Sequence, residues 1–166
     1  MISLAGMFLV ARKSLKDDYF GRSVVLLLQQ GPDGAFGLML KCREENDQLP
    51  FPIHIGGPCK FNGLILLHGQ ADWVEEGERE AAQICPGVYL GDGESLSRVT
   101  DPDATGDWQY RVFTGYSGWG PGQLERELAE GSWAIVPARA DLIFDIPLEE
   151  LWIRLAPSPI PQPSLN

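Results

Sequence analysis

The chain of 166 residues is 44% hydrophobic and 22% charged, the balance of an ordinary globular domain, which excludes an intrinsically disordered chain and one built of membrane spans. Its formal charge of −10 opposes a protein that works on phosphate backbones. Three cysteines (Cys42, Cys59, Cys85) and two histidines (His54, His68) are widely spaced and give neither a disulfide framework nor a metal-ligand pattern.

In chain order, residues 7–11 read as a first strand, residues 13–18 as a polar turn, and Tyr19 and Phe20 as anchors of a short turn or helical piece. Residues 23–30 are rich in Val and Leu, and the Gly31-Pro32-Asp33-Gly34 turn before residues 35–41 predicts an antiparallel hairpin. Apolar character over residues 24–28 is continuous, so this strand is expected to be covered on both faces. Residues 42–52 are polar and read as a surface loop. Residues 53–55 lead into Gly56-Gly57-Pro58, read as a plain tight turn because no phosphate-binding lysine or helix start follows, and residues 64–68 form another short strand.

Residues 72–82, interrupted by Gly77, read mostly as loop, and residues 84–89, with Pro86, as an edge or bent strand. A short helical or turn segment starts at residues 92–96, and residues 100–107 read as loop. Residues 110–130 are the most informative stretch: strand, glycine loop, helix. Tyr110, Val112 and Phe113 suit a strand, and Gly115, Gly118, Gly120 and Gly122 permit backbone angles a Cβ would oppose. Pro121 presets the first helical turn, Leu124 and Leu128 share a face, and Gly131 ends the helix. A strand over residues 133–136 and a helical turn over residues 138–142 follow. Residues 147–155 then make a helix whose Leu148, Leu151, Trp152 and Leu155 form one stripe that docks on the sheet. Residues 157–166 read as a proline-rich mobile tail outside a single domain of residues 1–156. Hairpin signals outnumber crossovers. The expected fold is α+β: a single domain with a largely antiparallel, strongly bent or barrel-like sheet and a few packed helices.

Charge is unevenly spread. Residues 71–107 hold ten acids against Arg79 and Arg98, a net of −8, which reads as a solvated face. Locally basic sequence is confined to Arg12, Lys13, Lys16 and Arg22, partly offset by Asp17 and Asp18, weak support for direct DNA binding. The apolar start of the chain lacks the basic flank of a signal peptide, and no apolar run approaches the roughly 20 residues of a spanning helix. A cytoplasmic protein without membrane association, cofactor or metal is expected.

The glycine loop fails as a Walker A motif, because Gln123 and Leu124 follow Gly122, and as a dinucleotide fingerprint, because Gly118, Gly120 and Gly122 have the wrong spacing. Gly115-Tyr116-Ser117-Gly118-Trp119 comes within one residue of an esterase nucleophile elbow, with Trp119 in place of the last glycine. That would make Ser117 a nucleophile and His68 its base. The other readings are a structural turn, or an anion or small polar ligand held by amides at the helix start and walled by Tyr116 and Trp119.

These residues resemble the YqgE/AlgH family of bacterial proteins over residues 4–155. The likeness is carried by Phe8-Leu9-Val10-Ala11, by Phe20 with Ser23-Val24-Val25, by Gly34-Ala35-Phe36-Gly37-Leu38-Met39-Leu40, by Gly56-Gly57-Pro58 and by Leu67-His68. Most specific is Gly115 through Glu125, continuing to Trp133, and Phe144-Asp145 and Leu151-Trp152 complete it. The resemblance implies a single α+β domain with a bent, barrel-like sheet, in a family without an established biochemical function, some members of which are labelled transcriptional regulators. Lys41-Cys42-Arg43 stands where the family usually has Asn-Arg-Pro, Asp17-Asp18 where it has Asp-Pro, and Lys13 where a proline is common.

The first functional expectation is a non-catalytic binding or regulatory protein. Its surface would centre on Tyr116, Ser117, Gly118, Trp119, Gly120, Gly122 and Gln123, and its partner would be another protein or a small anionic or polar ligand. A hydrolase using Ser117 with His68 is the second. A transcriptional regulator acting indirectly, without direct contact to nucleic acid, is the third: the helix after the loop carries Glu125, Glu127 and Glu130 against Arg126.

Overall fold

The computed structural model describes residues 3–15, 17, 19–44, 51–103 and 106–156; the expected proline-rich tail lies outside them. Among the described residues the elements run β1 (Met7–Ala11), β2 (Val24–Gly31), β3 (Gly34–Met39), β4 (Cys42–Glu44), β5 (Ile53–Ile55), β6 (Ile65–His68) and α1 (Arg79–Ala82). They continue through β7 (Gln83–Cys85), β8 (Val88–Leu90), α2 (Gly93–Thr100), β9 (Tyr110–Thr114), β10 (Ser117–Trp119), α3 (Gln123–Ala129), β11 (Trp133–Pro137), α4 (Ala140–Phe144) and α5 (Leu151–Leu155).

Strand β1 shows how the core is layered. Successive side chains on a strand point to opposite faces, and accordingly Phe8 and Val10 enter one apolar cluster while Leu9 and Ala11 enter another. The same alternation places Val24 and Leu26 on the first side and Val25 and Leu27 on the second. This sheet, ordered β10-β3-β2-β1-β11 and antiparallel throughout, is thus covered on both faces, as the continuous apolar run in β2 predicts. Leu27 is fully buried, and burying such a side chain contributes roughly 1.5–3 kcal/mol.

A second sheet is ordered β4-β5-β9-β6-β8-β7 and contains the parallel pair β5 with β9. The bend expected of a single sheet takes the form of two open sheets joined at a corner. The Gly56 amide donates to the Thr114 carbonyl of the second sheet, while its carbonyl accepts from the Met39 amide of the first, both at 2.8 Å. Beside it the chain leaves β9 through Gly115, whose φ is +72°, and enters β10 in the other sheet.

Several local readings change in the structure. Residues 42–44, expected as loop, pair antiparallel with β5, where their backbone groups find ladder partners despite the polar sequence. The single bent strand expected around Pro86 is a hairpin, β7 with β8; Pro86 lies in the connecting turn, where its missing N–H is harmless. The segment at 92–96 extends to the eight residues of α2, capped by the Asp92 carboxylate accepting from the Ser95 amide at 2.8 Å. Pro121 lies outside α3, whose N-cap is Gly122, and the helix expected over 147–155 divides into a 3-10 turn at Leu148–Glu150 followed by α5.

Candidate functional site

The loop at residues 115–122 is a closed turn. Its middle is strand β10, laid on β3 with Ser117 opposite Gly37 and Trp119 opposite Ala35. Trp119 is 6% exposed, with its ring 6.3 Å from Phe20 and 6.2 Å from Trp133, so it belongs to the core. Tyr116 is half-buried edge-on to Phe36 at 6.2 Å, and its backbone exchanges hydrogen bonds with Cys59. Gly118, Gly120 and Gly122 are exposed, but the Gly120 amide donates to Gln123 Oε1 at 3.0 Å and the Gln123 amide returns to the Gly120 carbonyl at 3.1 Å. Two of the amides expected to cradle an anion, those of Gly120 and Gln123, are thus satisfied within the loop.

Ser117 and His68 are not brought together. Ser117 is fully buried and its hydroxyl donates to the Gly56 carbonyl at 2.9 Å. His68 pairs with Tyr110 at the start of β9, whereas Ser117 lies beyond that strand's far end. The four-residue advance along β9 alone spans roughly 13 Å at the usual strand rise. His68 Nδ1 accepts from the Gln70 amide at 3.1 Å, its ring stacks on Tyr89, and Trp73 lies against it. Burial holds its pKa below the ordinary histidine value, and Arg98 acts in the same direction, while Asp92 and Asp72 oppose them.

A different group of residues converges where β1, β2, β3 and α5 meet. Arg12 follows β1, with its amide donating to the Ser132 carbonyl at 3.0 Å. Before β2, the Asp17 carboxylate accepts from the amides of Tyr19 (2.8 Å) and Phe20 (2.9 Å). The connection to β2 ends in Arg22, at φ +59° the one described non-glycine residue with positive φ. Lys41, just past β3, donates its Nζ to the Gly21 carbonyl at 3.0 Å. The Trp152 indole on α5 donates to the Ala11 carbonyl at 2.7 Å, which fixes the ring, and the Arg22 guanidinium lies 5.6 Å over it.

Together Arg12, Lys13, Arg22, Lys41 and Trp152 line an open cleft of about 600 Å³, with Leu15, Asp17 and Gly21. None of these four cations forms an ion pair among the described residues, and Arg12 Nε is buried without a partner among them. In a protein of charge −10, such a convergence favours an anion. Sequence reasoning flagged Arg12, Lys13 and Arg22 but not Lys41 or Trp152. Lys41 lies far along the chain, and Trp152 sits in an apolar stripe that reads as core. Among the described residues no cluster of three or more His, Cys, Asp or Glu could hold a metal ion, and no helix is long and apolar enough to cross a membrane.

The family model described as DUF179, AlgH-like, matches residues 8–158. The chain belongs to the AlgH-like family. Among its relatives, a UPF0301 protein of Chlorobium luteolum is 34% identical over 90% of this chain and 82% of its own length. A UPF0301 protein of Chlamydia trachomatis is 35% identical over 89% of this chain and 82% of its own. The solution structure of the AlgH protein from Pseudomonas aeruginosa superposes with a TM-score of 0.69 at 25% identity, covering 89% of this chain and 84% of that one.

Proposed function

We propose that this AlgH-like chain is a non-catalytic binding protein for a small anion, held in the cleft between the β1–β2 connection and α5. The observation that carries the reading is the convergence of Arg12, Lys13, Arg22 and Lys41 without an ion pair among the described residues. At an effective dielectric near 20, a unit charge about 4 Å from a cation gains on the order of 4 kcal/mol before desolvation. Several such contacts suffice for a millimolar or tighter complex. The strained backbone of Arg22 supports the same reading, since left-handed non-glycine residues gather at ligand clamps. Regulation of transcription would then act through the ligand or a protein partner.

Titration with inorganic phosphate at low ionic strength, followed by amide and indole shifts, tests this. The Gly21, Arg22 and Lys41 amides and the Trp152 indole should move together, with an affinity that falls as salt is added. An unperturbed set up to millimolar phosphate overturns the reading.

A further inference from the structure

The cationic cleft opens along one side into a second, largely apolar one. This neighbour, of about 570 Å³, shares Arg22, Lys41 and Trp152 with it and adds Leu40, Leu148 and Ile153. Leu40 and Leu148 are each 1% exposed, whereas Ile153 on α5 is 77% exposed. Resting on the anion-binding reading above, we infer that the ligand is a soluble amphiphilic anion. Its phosphate or carboxylate head sits among Arg12, Lys13, Arg22 and Lys41, and its apolar body lies between Trp152 and Ile153.

Three features support this division. The indole of Trp152 stands at the boundary, pinned by its bond to the Ala11 carbonyl, and so offers a fixed wall to both halves. Arg22 and Lys41 also line both halves, so a head held by them leaves its substituent directed along the apolar floor. Glu149 lines the apolar half, and among the described residues Asp17 is the one acid lining the cationic half. A second negative charge at the tail end would meet the Glu149 carboxylate, which disfavours a linear polyanion and favours one head with an uncharged body. Each half by itself falls within the size of small-molecule sites, which are mostly apolar with a few placed polar groups.

The test compares inorganic phosphate, hexyl phosphate and phosphatidylglycerol vesicles, with the full chain and with Ile153→Ser. Ile153 is exposed, so this variant is expected to fold. Hexyl phosphate should bind at least roughly tenfold more tightly than phosphate, the effect of burying about two methylenes. Ile153→Ser should reduce that ratio while leaving phosphate affinity unchanged. Equal affinities for the two phosphates, or a ratio unaffected by Ile153→Ser, overturn the amphiphile and leave the anion reading standing. Binding of neither ends both. Co-sedimentation with the vesicles, with no gain for soluble hexyl phosphate, overturns the soluble ligand in favour of a membrane surface.

Discussion

Glu127 Oε1 accepts the indole N–H of Trp133 at 2.9 Å. The same oxygen accepts the Trp119 indole at 3.1 Å, and the second carboxylate oxygen accepts from Gln123 Nε2 at 2.9 Å. One acid of α3 therefore ties β10, β11 and its own helix together. Glu127→Ala leaves two indole donors without this acceptor, at roughly 1–3 kcal/mol per unsatisfied buried donor. Because both bonds are only part-buried, a loss in the lower part of that combined range, about 2–4 kcal/mol, is expected from urea unfolding followed by tryptophan fluorescence. Glu127→Gln retains an acceptor oxygen and should lose less. Equal stability of Glu127→Ala and the native chain would show that water replaces the carboxylate.

The corner between the sheets makes glycine substitutions unequal. At Gly57, with φ +154°, an added Cβ would sit 2.2 Å from the backbone carbonyl of Tyr116, which cannot move without breaking the corner. At Gly122, φ is +73° but nothing lies within 4 Å of the added atom. Gly57→Ala should abolish soluble expression or lower stability by more than about 3 kcal/mol, beyond the usual range of single substitutions. Gly122→Ala should lose only the left-handed backbone penalty of roughly 1–2 kcal/mol. Comparable melting temperatures for the two variants would refute this ordering.

This contrast shows what the sequence could reveal. Strands β1, β2, β3, β9 and β11 were legible because apolar runs and turn glycines are local signals; of the four loop glycines expected to take special backbone angles, Gly115 and Gly122 have positive φ, whereas Gly118 lies in β10. The division of the glycine loop into corner, strand and cap was not. Ser117 reads as a nucleophile only while its partner is unknown, and the partner, the Gly56 carbonyl, is 61 residues away. The cleft was hidden for the same reason: Trp152 and the Ala11 carbonyl that orients it are 141 residues apart. Short elements such as β4 depend on pairing supplied by β5, not on their own propensity.

Ser117→Ala measures the structural role of that hydroxyl. Gly56 retains the amide of Met39 as a donor to its carbonyl, so the loss amounts to one hydrogen bond, about 1 kcal/mol. The amide shifts of Gly56 and Met39 should change in the variant. A stability equal to that of the native chain, with those shifts unmoved, would remove the hydroxyl from the corner.

His68 makes stability depend on pH. Its folded pKa is depressed, chiefly by burial, below the unfolded value of 6.5. On acidification the unfolded chain takes up the proton first, so in the interval below 6.5 the unfolded state binds more protons and stability rises with pH. The contribution is complete above 6.5 and is lost as pH falls toward the folded pKa. His68→Asn keeps an acceptor for the Gln70 amide and should flatten the dependence of melting temperature on pH over this interval. An unchanged slope in the variant, or a native-state titration of His68 at or above 6.5, would contradict the assignment.

Arg22 sets backbone strain against ligand charge. Its left-handed conformation is unfavourable by roughly 1–2 kcal/mol for a residue with a Cβ. Arg22→Gly relieves that strain. It also removes the guanidinium from the face of Trp152, a contact of roughly 0.5–1 kcal/mol at an exposed site, and gives the unfolded chain more freedom to lose on folding. These effects oppose one another, so melting should stay within a few degrees of the native chain. Phosphate affinity should instead fall several-fold, since one of the four cations lining the cleft is gone. Retained affinity in a stable Arg22→Gly variant would place the anion elsewhere; a large loss of stability with affinity intact would make Arg22 a structural residue whose conformation serves the connection between β1 and β2.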